Sequence, residues 1–113
     1  MTHRDDAARM RHMLDHAREA VQLAAGRSRA DLDADRTFNL AMTRLLEIIG
    51  EAAARVSEVT RQQHSQIRWP AIAGMRHRLI HGYDSVDFDI LWNVVEVDLP
   101  PLILELTSIL EPP

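Results

Sequence analysis

The stretch Met75-Arg76-His77-Arg78-Leu79-Ile80-His81-Gly82-Tyr83 collects two Arg, two His and the only Tyr of the chain. Trp69-Pro70 stands just upstream, and proline is tolerated best at the first helical position, where no intrahelical N–H bond is lost. Gly82 stands at the other end, where a helix usually stops. A short third helix from Trp69-Pro70 to about Gly82 follows. The segments on either side are periodic in the helical sense, so the whole chain reads as all-α.

Upstream, Asp5 to Ala25 reads as a first helix. Met10, Met13, Leu14, Ala17, Val21 and Ala24 share one stripe, and Gly26 ends it. A second, longer helix is expected from about Asp33 to Val59, with Leu40 or Ala41, Leu45, Ile48 or Ile49, Ala52 and Val56 facing inward. Gly50 lies inside it at a cost of about 1 kcal/mol relative to Ala; close packing against a neighbouring helix would account for it. Thr60 to Arg68 reads as a polar loop. Ser28, Asp31 or Asp33 can cap the second helix, and Ser85 or Asp87 a fourth one. That fourth helix carries Phe88, Leu91, Trp92, Val95 and Leu99 inward. Pro100-Pro101 should kink or restart it, because each proline lacks a donor and crowds the turn before it. Leu102, Leu106, Ile109 and Leu110 continue the apolar face. The expected architecture is an up-down four-helix bundle, one domain over residues 1–113.

Composition narrows the function classes. The net charge of −4 argues against a protein that coats nucleic acid through bulk positive charge, so any RNA contact needs a local basic patch or a groove shared by two subunits. All thirteen basic residues are Arg, whose planar, permanently charged forks suit phosphate. The absence of Cys excludes disulfides, thiolate nucleophiles and Cys-ligated zinc. No apolar signal region or membrane-length apolar run is apparent, so a cytoplasmic protein with no membrane partner is expected. His12 and His16 stand four apart around Asp15 without an evident third ligand, so no metal site and no cofactor is expected.

The spacing Arg76-x4-His81-x-Tyr83 resembles the signature of HEPN ribonuclease domains. In particular it resembles HepT-like toxins that pair with a minimal nucleotidyltransferase antitoxin. Arg-x4-His alone is weak and recurs at Arg11-x4-His16; Tyr83 and the helix-stop context separate the two copies. The likeness extends to Glu47-Ile48-Ile49-Gly50-Glu51-Ala52 upstream and to Trp92 and Leu99-Pro100 downstream. It implies a metal-independent endoribonuclease with a composite site at a homodimer interface, within a larger assembly once the antitoxin binds. It also implies that the partner silences the toxin by transferring AMP to Tyr83.

Residue chemistry agrees with that implication. RNA cleavage without metal needs a proton carrier and positive charge for the pentacoordinate phosphate. The imidazole of His81 can serve as base or acid, and a guanidinium such as Arg76 can fork onto phosphate oxygens. His77 and Arg78 are candidate substrate contacts. On an ideal helix Arg76 and His81 stand about 140° apart, which makes a site built from two facing helices attractive. Glu47 and Glu51 read either as a solvated edge or as partners that hold an Arg of the signature helix. The alternative function is a non-catalytic binding module that partners a nucleotidyltransferase and holds nucleotide or substrate only.

Overall fold

The computed structural model describes residues 3–83 and 85–113, excluding the side chains of His3 and Arg4. Its helices are α1 (His3–Ala24), α2 (Arg29–Ala34), α3 (Arg36–Ala54), α4 (Glu58–Gln63), α5 (Trp69–Ala73), α6 (Met75–Leu79), α7 (Phe88–Asn93) and α8 (Leu99–Leu110). A π-helical turn, Val94–Asp98, joins the last two. The helical periodicities translate into one core. Met13, Leu14 and Ala17 of α1, Met42, Leu46 and Ile49 of α3, and Leu99 and Leu106 of α8 are fully or nearly fully buried. α1 packs along α3 and α8, and α3 also packs along α5 and α6. The fold is the expected all-α bundle.

Several details differ from the sequence reading. The long second helix is divided. Asp35 is extended and caps α3 by accepting from the Phe38 N–H at 3.0 Å, which leaves Arg29–Ala34 as a separate helix. At the far end Arg55 closes α3, and Ser57 caps α4, so the first four residues of the stretch expected as a loop, Thr60 to Gln63, are helical and the remainder to Arg68 is not. Of the two inward candidates Leu40 and Ala41, Leu40 is 53% exposed and Ala41 half-buried, because the buried stripe runs through Phe38, Met42, Leu45 and Ile49.

The signature helix is likewise divided. Gly74 ends α5 and starts α6, its N–H reaching the Pro70 carbonyl at 2.9 Å. The chain then leaves the helix at Ile80, not at Gly82. Ile80 is extended and forms an antiparallel bridge with Val86. The His81 N–H donates to the Ser85 carbonyl, and the Asp87 N–H to the Leu79 carbonyl, both at 2.8 Å. Two β-branched residues pairing across a turn outcompete one more helical turn here, and Gly82 supplies the positive φ (139°) that the turn needs. Near Pro100-Pro101 the irregularity falls one turn earlier than the prolines themselves. The Leu99 N–H bonds back to the Val94 carbonyl, a π-type closure, and α8 runs on through both prolines.

Two polar ties fix α1 in the bundle. Asp6, only 2% exposed, accepts from the Ser57 N–H (3.0 Å), the Ser57 hydroxyl (2.5 Å) and the Thr60 hydroxyl (2.6 Å), locking α1 to the start of α4. On the other side Arg11 and Arg18 grip Glu111, just beyond α8, at 2.6 and 3.0 Å. Hydrogen bonds from Arg18 and Arg11 hold the Glu111 carboxyl down at about 2.

Gly50 meets the expectation of close packing. A Cβ there would lie 3.3 Å from the Ile72 backbone oxygen and 3.7 Å from the Met75 Cβ. That backbone cannot yield as a flexible side chain can. Gly50→Val should therefore push α5 and α6 from α3 and destabilise the protein by about 1–3 kcal/mol, read as a lower urea midpoint.

Candidate functional site

Arg76 sits on α6 and Glu47 on the face of α3 beneath it. Arg76 Nε donates to Glu47 Oε2 at 3.2 Å. The Glu47 side chain is 19% exposed and that of Arg76 55% exposed, so a mostly covered carboxylate holds an outward-facing guanidinium. The bond to Glu47 uses Nε and neither terminal nitrogen, so the N–H fork that a phosphate requires is not spent on it. Of the two readings of the glutamates, the paired one therefore describes Glu47. Glu51 instead faces Arg44 at 3.5 Å, between two well-exposed side chains, which is a weak contact.

His81 lies on the turn after Ile80 rather than on the helix, so the 140° separation expected from helical geometry does not describe it. Its Nε2 is 3.8 Å from Asp87 Oδ2. The other carboxylate oxygen of Asp87 caps α7 by accepting from the Asp89 and Ile90 N–H groups. Asp87 is thereby held in one orientation beside the imidazole, a second acidic support that the sequence reading assigned only as a cap. Tyr83 projects fully into solvent and His77 is exposed. Arg78 turns the other way. Its Nη2 donates to the Ala71 carbonyl at 3.3 Å and lies 3.6 Å from Asp98, so it braces the α5–α6 break against the π-helical turn.

Arg76 and Tyr83 open onto a groove of about 650 Å³ between α3 and the Ile80–Val86 turn. His81 is not among the residues that line it. The described residues thus bring Arg76, Glu47 and Tyr83 together and leave His81 outside the groove, exposed, with its Nε2 3.8 Å from the Asp87 carboxylate. The His12–Asp15–His16 cluster gathers no third ligand. His16 Nδ1 is taken up by the His12 carbonyl at 2.6 Å, and no group of three His, Asp or Glu suited to a metal occurs among the described residues. No helix there is long and apolar enough to cross a membrane.

The family model described as ribonuclease HepT-like matches residues 13–109, which takes in α3, the signature and α8. A chain of Caldanaerobacter subterraneus subsp. tengcongensis, whose name assigns it as an RNase, is 34% identical over 102 residues, 90% of this chain and 91% of that one. A chain of Thermococcus cleftensis, whose name assigns it as a ribonuclease HepT, is 37% identical over 93 residues, 79% of this chain and 84% of its own. An RNase-assigned chain of Methanocaldococcus jannaschii is 28% identical over 102 residues, 90% of this chain and 94% of that one. No solved structure matches the chain. A match over most of the length, carried by a chain whose signature Arg is anchored and outward-facing, places this protein in the HepT-like ribonuclease family.

Proposed function

We propose that the protein is a metal-independent endoribonuclease toxin that acts in the cytoplasm as a homodimer. The observation that carries this reading is Arg76, pinned through Nε by the covered Glu47 carboxylate with its phosphate-binding fork turned outward. Arg76 stabilises the charge that grows on the phosphate. His81 carries a proton to or from the reacting oxygens, with Asp87 orienting its ring. Because His81 stands outside the groove onto which Arg76 opens, a second copy related by a two-fold axis supplies the complementary half of the site. Attack of a 2′-hydroxyl on its neighbouring phosphate breaks the bond to the 5′-oxygen, leaving a 2′,3′-cyclic phosphate and a 5′-hydroxyl. A cognate nucleotidyltransferase antitoxin silences the enzyme by transferring AMP to Tyr83, whose exposure leaves its hydroxyl open to a partner's active site. The bulky anion would then compete with RNA for Arg76.

End-group analysis tests the chemistry. Products with cyclic phosphate and 5′-hydroxyl ends are expected, with no cut where the scissile nucleotide is 2′-deoxy. Cleavage of the deoxy substrate would exclude internal transesterification. Nucleotide binding without any RNA cleavage would favour the binding-module alternative.

Glu47 acts on the reaction only through Arg76, as a positioning residue. Glu47→Gln keeps the shape but removes the charge-assisted anchor, and is expected to lower kcat about 10-fold, within the range that misplacement of a catalytic group costs. Glu47→Asp, which keeps the charge on a shorter stem, should recover part of the loss. Unchanged kcat in Glu47→Gln would show that Arg76 needs no such anchor.

A further inference from the structure

The groove beside Arg76 is larger than a single phosphate requires, and its walls have a definite chemistry. Arg36, Asn39, Leu40, Thr43, Arg44 and Glu47 line it from one face of α3, spaced as the helical repeat dictates. Among the described residues that line it are three guanidiniums, those of Arg36, Arg44 and Arg76, and one carboxylate, that of Glu47, in a chain whose net charge is −4. The excess is local and lies where the anchored Arg76 already points.

Apolar surface lies between these cations. Leu40 is 53% exposed on the α3 wall, an unusual placement for a leucine on a helix whose other large apolar residues are covered. Phe88, half-buried, lines the opposite wall. Along α3 the Arg36 and Arg44 positions are about 12 Å apart, and Arg44 lies about 4.5 Å from the Glu47 position that holds Arg76. The Arg44–Glu51 contact, at 3.5 Å between side chains more than half exposed, gives way readily to a stronger anion. Arg36 Nη1 donates to Asn39 Oδ1 at 3.2 Å, which holds its guanidinium against the wall. Phosphates spaced along a strand, alternating with flat apolar base faces, are the ligand such a wall matches; single-stranded RNA is bound by cations that track its backbone and apolar or aromatic platforms beneath its bases.

We propose that this α3 groove is the binding track for the single-stranded RNA segment leading to the scissile phosphate, with Arg36 and Arg44 on phosphates and Leu40 and Phe88 against base faces. The inference rests on the ribonuclease reading, because it takes Arg76 as the reacting end of the track. It explains the exposed Leu40 and gives a net acidic protein a route to RNA that bulk charge does not provide.

The test uses the full chain, checked by intact mass to carry no AMP, and a fluorescent 2′-O-methyl RNA oligonucleotide that cannot be cleaved. Binding is measured against salt for wild type, Arg44→Ala, Arg44→Lys, Arg36→Ala and Leu40→Ser, with thermal melts confirming folding. A contact to single-stranded nucleic acid contributes about 0.7 to the slope of log affinity against log salt. Arg44→Ala and Arg36→Ala should each flatten the slope by about that amount and weaken binding about 5- to 10-fold. Arg44→Lys should keep the slope, and Leu40→Ser should weaken binding without altering it. On cleavable RNA the Arg variants should lose more in KM than in kcat. Cleavage by the wild type with slopes and KM unmoved in folded Arg44→Ala and Leu40→Ser would overturn the track and leave the ribonuclease reading standing. A wild type that neither binds nor cuts RNA would overturn both.

Discussion

Arg76→Ala is expected to lower kcat/KM for RNA cleavage about 10²- to 10³-fold, the usual loss when a positioned donor to a developing anion is removed. The side chain is 55% exposed and its one described protein partner is Glu47, so the fold should survive the change. The deficit should therefore appear with little shift in melting temperature. Arg76→Lys restores a positive charge but neither the bidentate fork nor the Nε that Glu47 holds, and should recover only a small part of the activity. His81→Ala is expected to cost 10²- to 10⁴-fold, the range for a general acid or base. It too should spare the fold, since the imidazole is 54% exposed and, among the described residues, its ion-pair partner is Asp87. If both residues serve one transition state, the double variant should be little worse than the poorer single one.

Asp6→Ala is expected to have the largest effect on stability, about 2–4 kcal/mol. The substitution leaves one backbone N–H and two hydroxyls, from Ser57 and Thr60, without the acceptor they share, in a site that water barely reaches. For a domain of this size that corresponds to a melting temperature lower by about 10–20 °C. Burial alone would raise the Asp6 carboxyl above its ordinary range, but the hydrogen bonds from Ser57 and Thr60 outweigh it and the group lies below. Its stabilising contribution is therefore complete above the ordinary aspartate range and is lost as pH falls through the depressed value. Glu111, held at about 2 by Arg18 and Arg11, acts in the same direction between about 4.5 and 2. Asp6→Asn should keep part of the hydrogen bonding while removing part of the acid dependence, which urea melts at pH 3 and pH 7 would measure.

Periodicity carried most of the fold. The stripes Met10–Met13–Leu14–Ala17 and Leu91–Val95–Leu99–Leu102–Leu106 are all buried, and Gly50 lies against a neighbouring backbone as its small size required. The breaks were less legible because they depend on competition between local choices. Asp35, Ser57 and Gly74 each divide a helix whose apolar pattern continues across the division, and pattern alone does not register a cap that wins. The signature residues were legible as a motif, but their arrangement was not. Ile80 and Val86 pair only after the chain has turned back, so the removal of His81 from the helix was hidden from any helical projection. Glu47 was one of two readable partners for Arg76, and only packing of α6 over α3 selected it. Asp6 gave no sequence signal, since its partners lie about fifty positions away. Arg36 and Arg44 look like ordinary helix-surface cations until the groove between α3 and the turn is seen.

The most direct test of the central claim is cleavage of a mixed RNA substrate in EDTA by purified protein whose intact mass shows no AMP on Tyr83. The wild type should cut the RNA, and Arg76→Ala and His81→Ala should cut it at least 10²-fold more slowly while melting like the wild type. Absence of cleavage by folded, unmodified, dimeric wild type, or equal cleavage by all three proteins, would contradict the account.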